Sequence, residues 1–116
     1  MTPEQLERFR RMLEEQQQEI QAIKETARLS TRPEDLDQAV IGRLSRIDAM
    51  QMQAMTLEQQ RRRDIQLQRI RGALTRMQNG EYGLCVACEE EIALRRLETD
   101  PAAPLCIACA SRQERQ

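Results

Sequence analysis

GLCVACEEEIALRRLETDPAAPLCIAC, residues 83–109, decides the reading of this chain. It holds two Cys-x-x-Cys pairs, Cys85-Val86-Ala87-Cys88 and Cys106-Ile107-Ala108-Cys109, with seventeen residues between them. Each pair sets two thiolates on one tight turn, and two such turns supply the four corners of a tetrahedral zinc site. Zinc suits the arrangement because it is borderline-soft, redox-inert and indifferent to d-electron geometry. Gly83-Leu84 leads into the first pair and Pro104-Leu105 into the second, so both approaches read as turns. Two other readings stay open at this point. A redox Cys-x-x-Cys normally stands singly within an alternating strand–helix pattern, which is absent here. A disulfide pair would imply secretion, and residues 1–11 are charged and carry no apolar signal core. One structural Zn²⁺ held by Cys85, Cys88, Cys106 and Cys109 is the expectation.

The rest of the chain cannot build a large globular core. Of its 116 residues only Phe9 and Tyr82 are aromatic, there is no Trp, and Glu, Gln, Arg, Leu, Ala and Met dominate. All are strong helix formers, so extended helices packed along narrow seams are expected. No run of about 18 apolar residues occurs, so no membrane span is expected and the chain reads as cytoplasmic.

Leu6, Phe9, Leu13, Ile20, Ile23 and Ala27 follow a three-four alternation, interrupted by Gln16, which makes a heptad seam. Thr2-Pro3-Glu4-Gln5 opens that helix with a capping residue, an early proline and Gln5 three residues after Thr2. The seam ends at Ser30-Thr31-Arg32-Pro33, where proline gives a chain reversal a place to start. The first helix is therefore about 27 residues, roughly 40 Å long. A second helix ends near Gln78-Asn79-Gly80, with Leu67, Ile70, Leu74 and Met77 at seam spacing. Upstream, Leu44, Ile47, Met50, Ala54 and Leu57 carry a looser version of that pattern. This helix is about 37 residues if it begins after Gly42, or about 46 if it begins near Pro33. The predicted fold is all-α dominated: an antiparallel coiled-coil hairpin over residues 1–79, its tip within 30–48, and a small four-cysteine zinc finger with a short tail over 80–116. Pro33 permits reversal within one chain, so a monomer is expected.

The formal net charge of −1 hides a division. Residues 51–79 carry six arginines against Glu58 and Asp64, whereas residues 80–116 carry four basic against seven acidic side chains. Four metal-bound thiolates would make the C-terminal module more negative still. A basic helix beside an acidic zinc module is not a DNA-binding footprint. Arg61, Arg62 and Arg63 read either as a solvated face or as a docking patch for an acidic partner or a polyphosphate. Met50, Met52 and Met55 read as seam filler or as a partner contact. Between the helices, Pro33-Glu34-Asp35-Leu36-Asp37-Gln38-Ala39 holds three carboxylates, which a helix N-terminus would favour with no further role.

The chain resembles the DksA/TraR family of bacterial transcription regulators. The resemblance is carried by Gly83-Leu84-Cys85-x-x-Cys88, Glu91-Ile92-Ala93-x-Arg95-Arg96-Leu97-Glu98, Pro101 and Leu105-Cys106-Ile107-x-Cys109, and the preceding hairpin extends it over nearly the whole chain. It implies direct binding to RNA polymerase rather than DNA. It also implies entry of the hairpin into the secondary channel, an acidic tip close to the catalytic centre, and guanosine tetraphosphate as a possible co-ligand at the polymerase interface. The family tip pattern Asp-x-x-Asp-x-Ala is matched by Glu34-x-x-Asp37-x-Ala39, with Glu in place of the first Asp. By that resemblance Asp37 and Ala39, with Glu34, form the functional tip. Three departures stand out: a longer interval from Asp37 to Cys85, which makes Asp48 a rival tip, a short tail after Cys109, and a short N-terminal region.

Catalysis is not expected. The chain has no histidine, all four cysteines are committed, and a four-thiolate zinc keeps no open position for water or substrate. The functions weighed against a polymerase regulator are a zinc ribbon that binds nucleic acid through residues 61–63, and a non-catalytic coiled-coil adaptor. The ribbon would show strong salt dependence, and its acidic finger lacks aromatic residues for base stacking beyond Tyr82.

Overall fold

Local signals set the start of the first long helix and the end of the second. The computed structural model describes residues 1–30 and 43–114, with side chains described to residue 27 in the first helix and from residue 46 in the second. Glu34, Asp37 and Ala39 lie outside the described residues. Helix α1 (Pro3–Ser30) opens with a reciprocal capping box: Gln5 N–H donates to Thr2 Oγ1 at 3.1 Å and Thr2 N–H donates to Gln5 Oε1 at 3.0 Å. Helix α2 (Arg43–Gln78) ends in a Schellman motif. There Glu81 N–H reaches Arg76 O at 2.8 Å and Gly80 N–H reaches Met77 O at 3.2 Å, and Gly80 takes the left-handed φ of 71° that the motif requires. Two short helices follow, α3 (Leu94–Thr99) and α4 (Ile107–Glu114). Among the described residues the only β-pairing is an isolated antiparallel bridge between Leu84 and Glu91.

Two compact units result, Met1–Gln17 with Gln66–Gln116, and Gln18–Ile65. The first holds the core. Phe9 and Leu13 of α1 and Leu67, Ile70 and Ala73 of α2 are buried there together with Tyr82, Ile92, Leu97, Ala102 and Ala103. The Phe9 and Tyr82 rings meet at 5.9 Å between centroids, tilted by 48°. Full burial of Phe9, Leu13 or Leu97 stabilises this unit by about 1.5–3 kcal/mol each. Gln16, the polar interruption of the α1 seam, is half-buried and its Oε1 has no hydrogen-bond partner.

The second unit corrects the expected seam. Ile23 is 45% exposed, and Ile47, Met50 and Leu57 are exposed as well. Met50, Met52 and Met55 are therefore not seam filler. The half-buried residues of this stretch are Ile20, Lys24 and Ala27 on α1 and Ala49, Thr56, Glu58, Gln60 and Arg63 on α2, Glu58 being covered by Arg61 and Arg62. Lys24 Nζ pairs with Asp64 across the helices. Ile70 extrapolates back by heptads to Arg63, Thr56 and Ala49, and Leu67 to Gln60 and then to exposed Gln53. The apolar set 47, 50, 54, 57 runs one residue ahead of that phase, and one residue is about 100° of helix rotation.

Candidate metal centre

Both cysteine turns are built from backbone hydrogen bonds. Cys85 N–H donates to Glu90 O at 2.8 Å, Glu89 N–H returns to Cys85 O at 2.9 Å, and Ile92 N–H reaches Gly83 O at 2.7 Å. Folding the chain back so tightly after Cys88 puts Glu89 at φ 64°, the one non-glycine residue with positive φ among those described. Gly83 is needed for conformation, at φ 89°; a Cβ there would stand 2.9 Å from Met1 Cε, the movable end of an exposed side chain. The second turn is sewn to the first by Val86 N–H donating to Pro104 O at 2.9 Å. Both approaches are turns as expected, but Cys109 itself sits in the first turn of α4, with Ala110 N–H donating to Cys106 O at 2.9 Å.

The four sulfurs converge. All lie within 4.8 Å of one another, and Cys88 Sγ and Cys106 Sγ are 3.8 Å apart. A tetrahedron with Zn–S bonds of ~2.3 Å has edges of about 3.8 Å, so the donor set fits zinc in size as well as chemistry. Cys85 is buried, Cys106 and Cys109 are half-buried, and Cys88 faces solvent. Backbone groups of Cys106 and Cys88 hold the Cys85 thiol down to about 6. The neighbouring sulfurs of Cys106 and Cys85 push Cys109 up to about 12. The four thiols titrate as a coupled set, and a metal entering the site displaces their protons. The site holds one structural zinc ion.

Three contacts outside the cysteines support the second turn. Arg96 Nε donates to Leu105 O at 2.8 Å, anchoring the approach to Cys106. Tyr82 O–H donates to Pro101 O at 2.8 Å, and Arg69 Nη2 meets Asp100 Oδ2 at 2.6 Å. Arg96 was visible in the sequence only as part of the quoted motif. Arg69 and Asp100, 31 residues apart, carried no local signal.

The remaining sequence candidates fall elsewhere. Asp48 is exposed on α2. Consecutive residues point about 100° apart on a helix, so residues 61–63 form no single basic face. Arg61 and Arg62 both bind Glu58, with Arg61 Nη2 2.8 Å and Arg62 Nε 3.3 Å from Glu58 Oε1, and Arg63 is half-buried. The Arg61 guanidinium, then Arg62, holds the Glu58 carboxyl below its ordinary value. Among the described residues no helix is long and apolar enough to cross a membrane.

Residues 80–115 match the prokaryotic dksA/traR C4-type zinc finger family. Over 48 residues the chain is 40% identical to the RNA polymerase-binding transcription factor DksA of Haemophilus influenzae, covering 41% of this chain and 33% of that protein. It is 38% identical over 48 residues to the protein of the same name from Escherichia coli K12, covering 32% of it. The match thus spans about a third of these curated relatives. The structure of transcription factor DksA2 from Pseudomonas aeruginosa superposes with a TM-score of 0.80 at 33% identity, covering 99% of this chain and 87% of that one.

Proposed function

The chain belongs to the DksA/TraR family, and from that premise we propose that it is a transcription regulator that binds RNA polymerase directly, in the bacterial cytoplasm, through the polymerase secondary channel. The observation that carries the reading is the likeness to DksA2 over 99% of the chain, so that the two long helices are included along with the zinc finger. The zinc ion supplies a fixed cross-link between the two cysteine turns. Around it, Arg96, Tyr82 and Arg69 hold the 100–105 loop, and Phe9 against Tyr82 ties α1 to the same core.

In this reading Asp37 and Ala39, with Glu34, are the working tip. A carboxylate entering near the catalytic Mg²⁺, or near mobile elements around it, shifts the balance between polymerase states by its differential affinity for them. Promoters with short-lived open complexes respond most. The protein itself performs no chemical step, and guanosine tetraphosphate is a third component whose effect is read by adding it. The acidic finger, with exposed Glu89, Glu90 and Glu91 beside the thiolates, argues against a nucleic-acid-binding ribbon.

The test is the lifetime of open complexes at a ribosomal RNA promoter, with purified polymerase and increasing zinc-loaded protein. Shortening that is abolished by Asp37→Asn and retained by Asp48→Asn supports the reading and its tip. Loss with Asp48→Asn instead moves the tip to α2. An unchanged lifetime at saturating protein contradicts the proposal.

A further inference from the structure

Among the described residues, every buried apolar side chain lies in the unit formed by Met1–Gln17 and Gln66–Gln116. The Gln18–Ile65 unit has none: through residues 18–27 and 46–65 every side chain is half-buried or exposed. Its half-buried positions on α2 include Ala49, Thr56, Gln60 and Arg63, which are small or polar, and on α1 they include Lys24. Lys24 Nζ meets Asp64 across the helices, but both groups stand largely in water, where an ion pair contributes little. The large apolar side chains that could have held this unit, Ile23, Met50 and Leu57, are 45%, 69% and 59% exposed. Apolar burial, the main favourable term in folding, is therefore concentrated in the zinc-bearing unit and thin in the other.

The helices of the thin unit form for a different reason. Each continues unbroken from a buried anchor, Leu13 in α1 and Leu67 in α2, so nucleation is met in the zinc-bearing unit and the distal residues only propagate it. Gln, Met, Ala, Leu and Arg dominate residues 49–63, and all propagate a helix well. Propagation alone is close to balanced in water, so such helices are made easily and lost easily. Packing between them would shift that balance, and the polar positions on α2 supply little of it.

We propose that Gln18–Ile65 is a separately opening unit, a compliant segment that comes apart and re-forms in water while the zinc-bearing unit stays folded. Its polar seam is the device: it keeps the opening cost low without disturbing the core that carries the metal. A partner that grips both helices favours the closed form, so its binding and the closing of the unit are linked. The opening is a property of the free chain. Only the linkage to RNA polymerase rests on the polymerase reading.

The experiment is native-state hydrogen exchange on full-length, zinc-loaded protein. In the wild type, amides of residues 18–27 and 46–63 are expected to exchange at least about a hundredfold faster, relative to their intrinsic rates, than those of residues 67–77. Two variants test the cause: Gln60→Leu with Arg63→Leu, at half-buried positions, and Gln59→Leu with Arg62→Leu, the same exchanges one residue earlier at exposed positions. The first pair is expected to slow exchange over residues 46–65 about tenfold or more, and the second to leave it within about twofold of wild type. Added RNA polymerase core enzyme is expected to slow exchange in residues 18–27 and 46–63 of the wild type as it saturates. Equal protection in the two units of the free wild type overturns the separate opening. Equal slowing by both variant pairs assigns the effect to helix propensity and overturns the polar seam as its cause. Polymerase that binds without slowing exchange there overturns the linkage and leaves the opening standing, whereas absence of polymerase binding removes the polymerase reading and the linkage with it.

Discussion

Replacing Tyr82 with phenylalanine removes one hydroxyl and keeps the ring. In the folded chain that hydroxyl donates to Pro101 O at 2.8 Å, and both Tyr82 and Pro101 are buried. The variant leaves a carbonyl without its donor while the tilted ring contact with Phe9 at 5.9 Å persists. The expected cost is about 1–2 kcal/mol, the range for a buried acceptor stripped of one neutral partner. Alkali reports on the burial of the same hydroxyl. Burial, opposed by Arg76 and reinforced by Asp100, pushes the Tyr82 phenol up to about 12. An unfolded tyrosine ionises near pH 10, so the phenol's contribution is complete below about pH 10 and is lost as pH rises toward 12. Tyr82 is the only tyrosine and there is no tryptophan, so tyrosinate absorbance reads this group alone. The assay pairs that titration with urea unfolding of zinc-loaded protein from pH 8 to 12. Wild type should lose stability above pH 10 in step with the absorbance, and Tyr82→Phe should start lower and fall less. Equal stability of Tyr82→Phe and wild type at pH 8, with the same alkaline loss, would refute the reasoning.

Other perturbations follow from the same packing. Phe9→Ala opens a cavity against Tyr82 and should cost about 3–5 kcal/mol in urea unfolding. Gln16→Leu removes an unpartnered buried oxygen from the seam and should raise stability by about 1 kcal/mol. Glu89→Gly relieves the φ of 64° and should be neutral or stabilising by up to about 1 kcal/mol, whereas Glu89→Val should destabilise, each measured by thermal unfolding of zinc-loaded protein. Chelation of zinc should strip amide-exchange protection from residues 83–110, and zinc affinity should climb with pH because the metal must displace thiol protons, that of Cys109 being held up to about 12.

The features that were legible in the sequence rest on short-range chemistry. Two Cys-x-x-Cys turns fix the zinc site, Thr2 with Gln5 fixes the start of α1, and Asn79-Gly80 fixes the end of α2. What was not legible is which face of α2 meets α1 between residues 46 and 65. The visible apolar pattern there runs one residue ahead of the phase set by Leu67 and Ile70. Hydrophobicity alone pointed to Ile47, Met50 and Leu57, but the buried core at Leu13, Leu67 and Ile70 sets the phase, and the helix carries that phase into a polar stretch. The supports of the second cysteine turn escaped for another reason. Arg69 and Asp100 meet only after α2 and the finger have folded onto each other, and no spacing in the chain announces that pair.

The most direct test of the central claim is equilibrium binding of the zinc-loaded chain to RNA polymerase in the absence of DNA, run beside binding to free promoter DNA at the same salt. The account predicts saturable, one-to-one binding to polymerase, lost on zinc removal, and no binding to DNA. Binding to DNA that weakens steeply with salt, with none to polymerase, would contradict it.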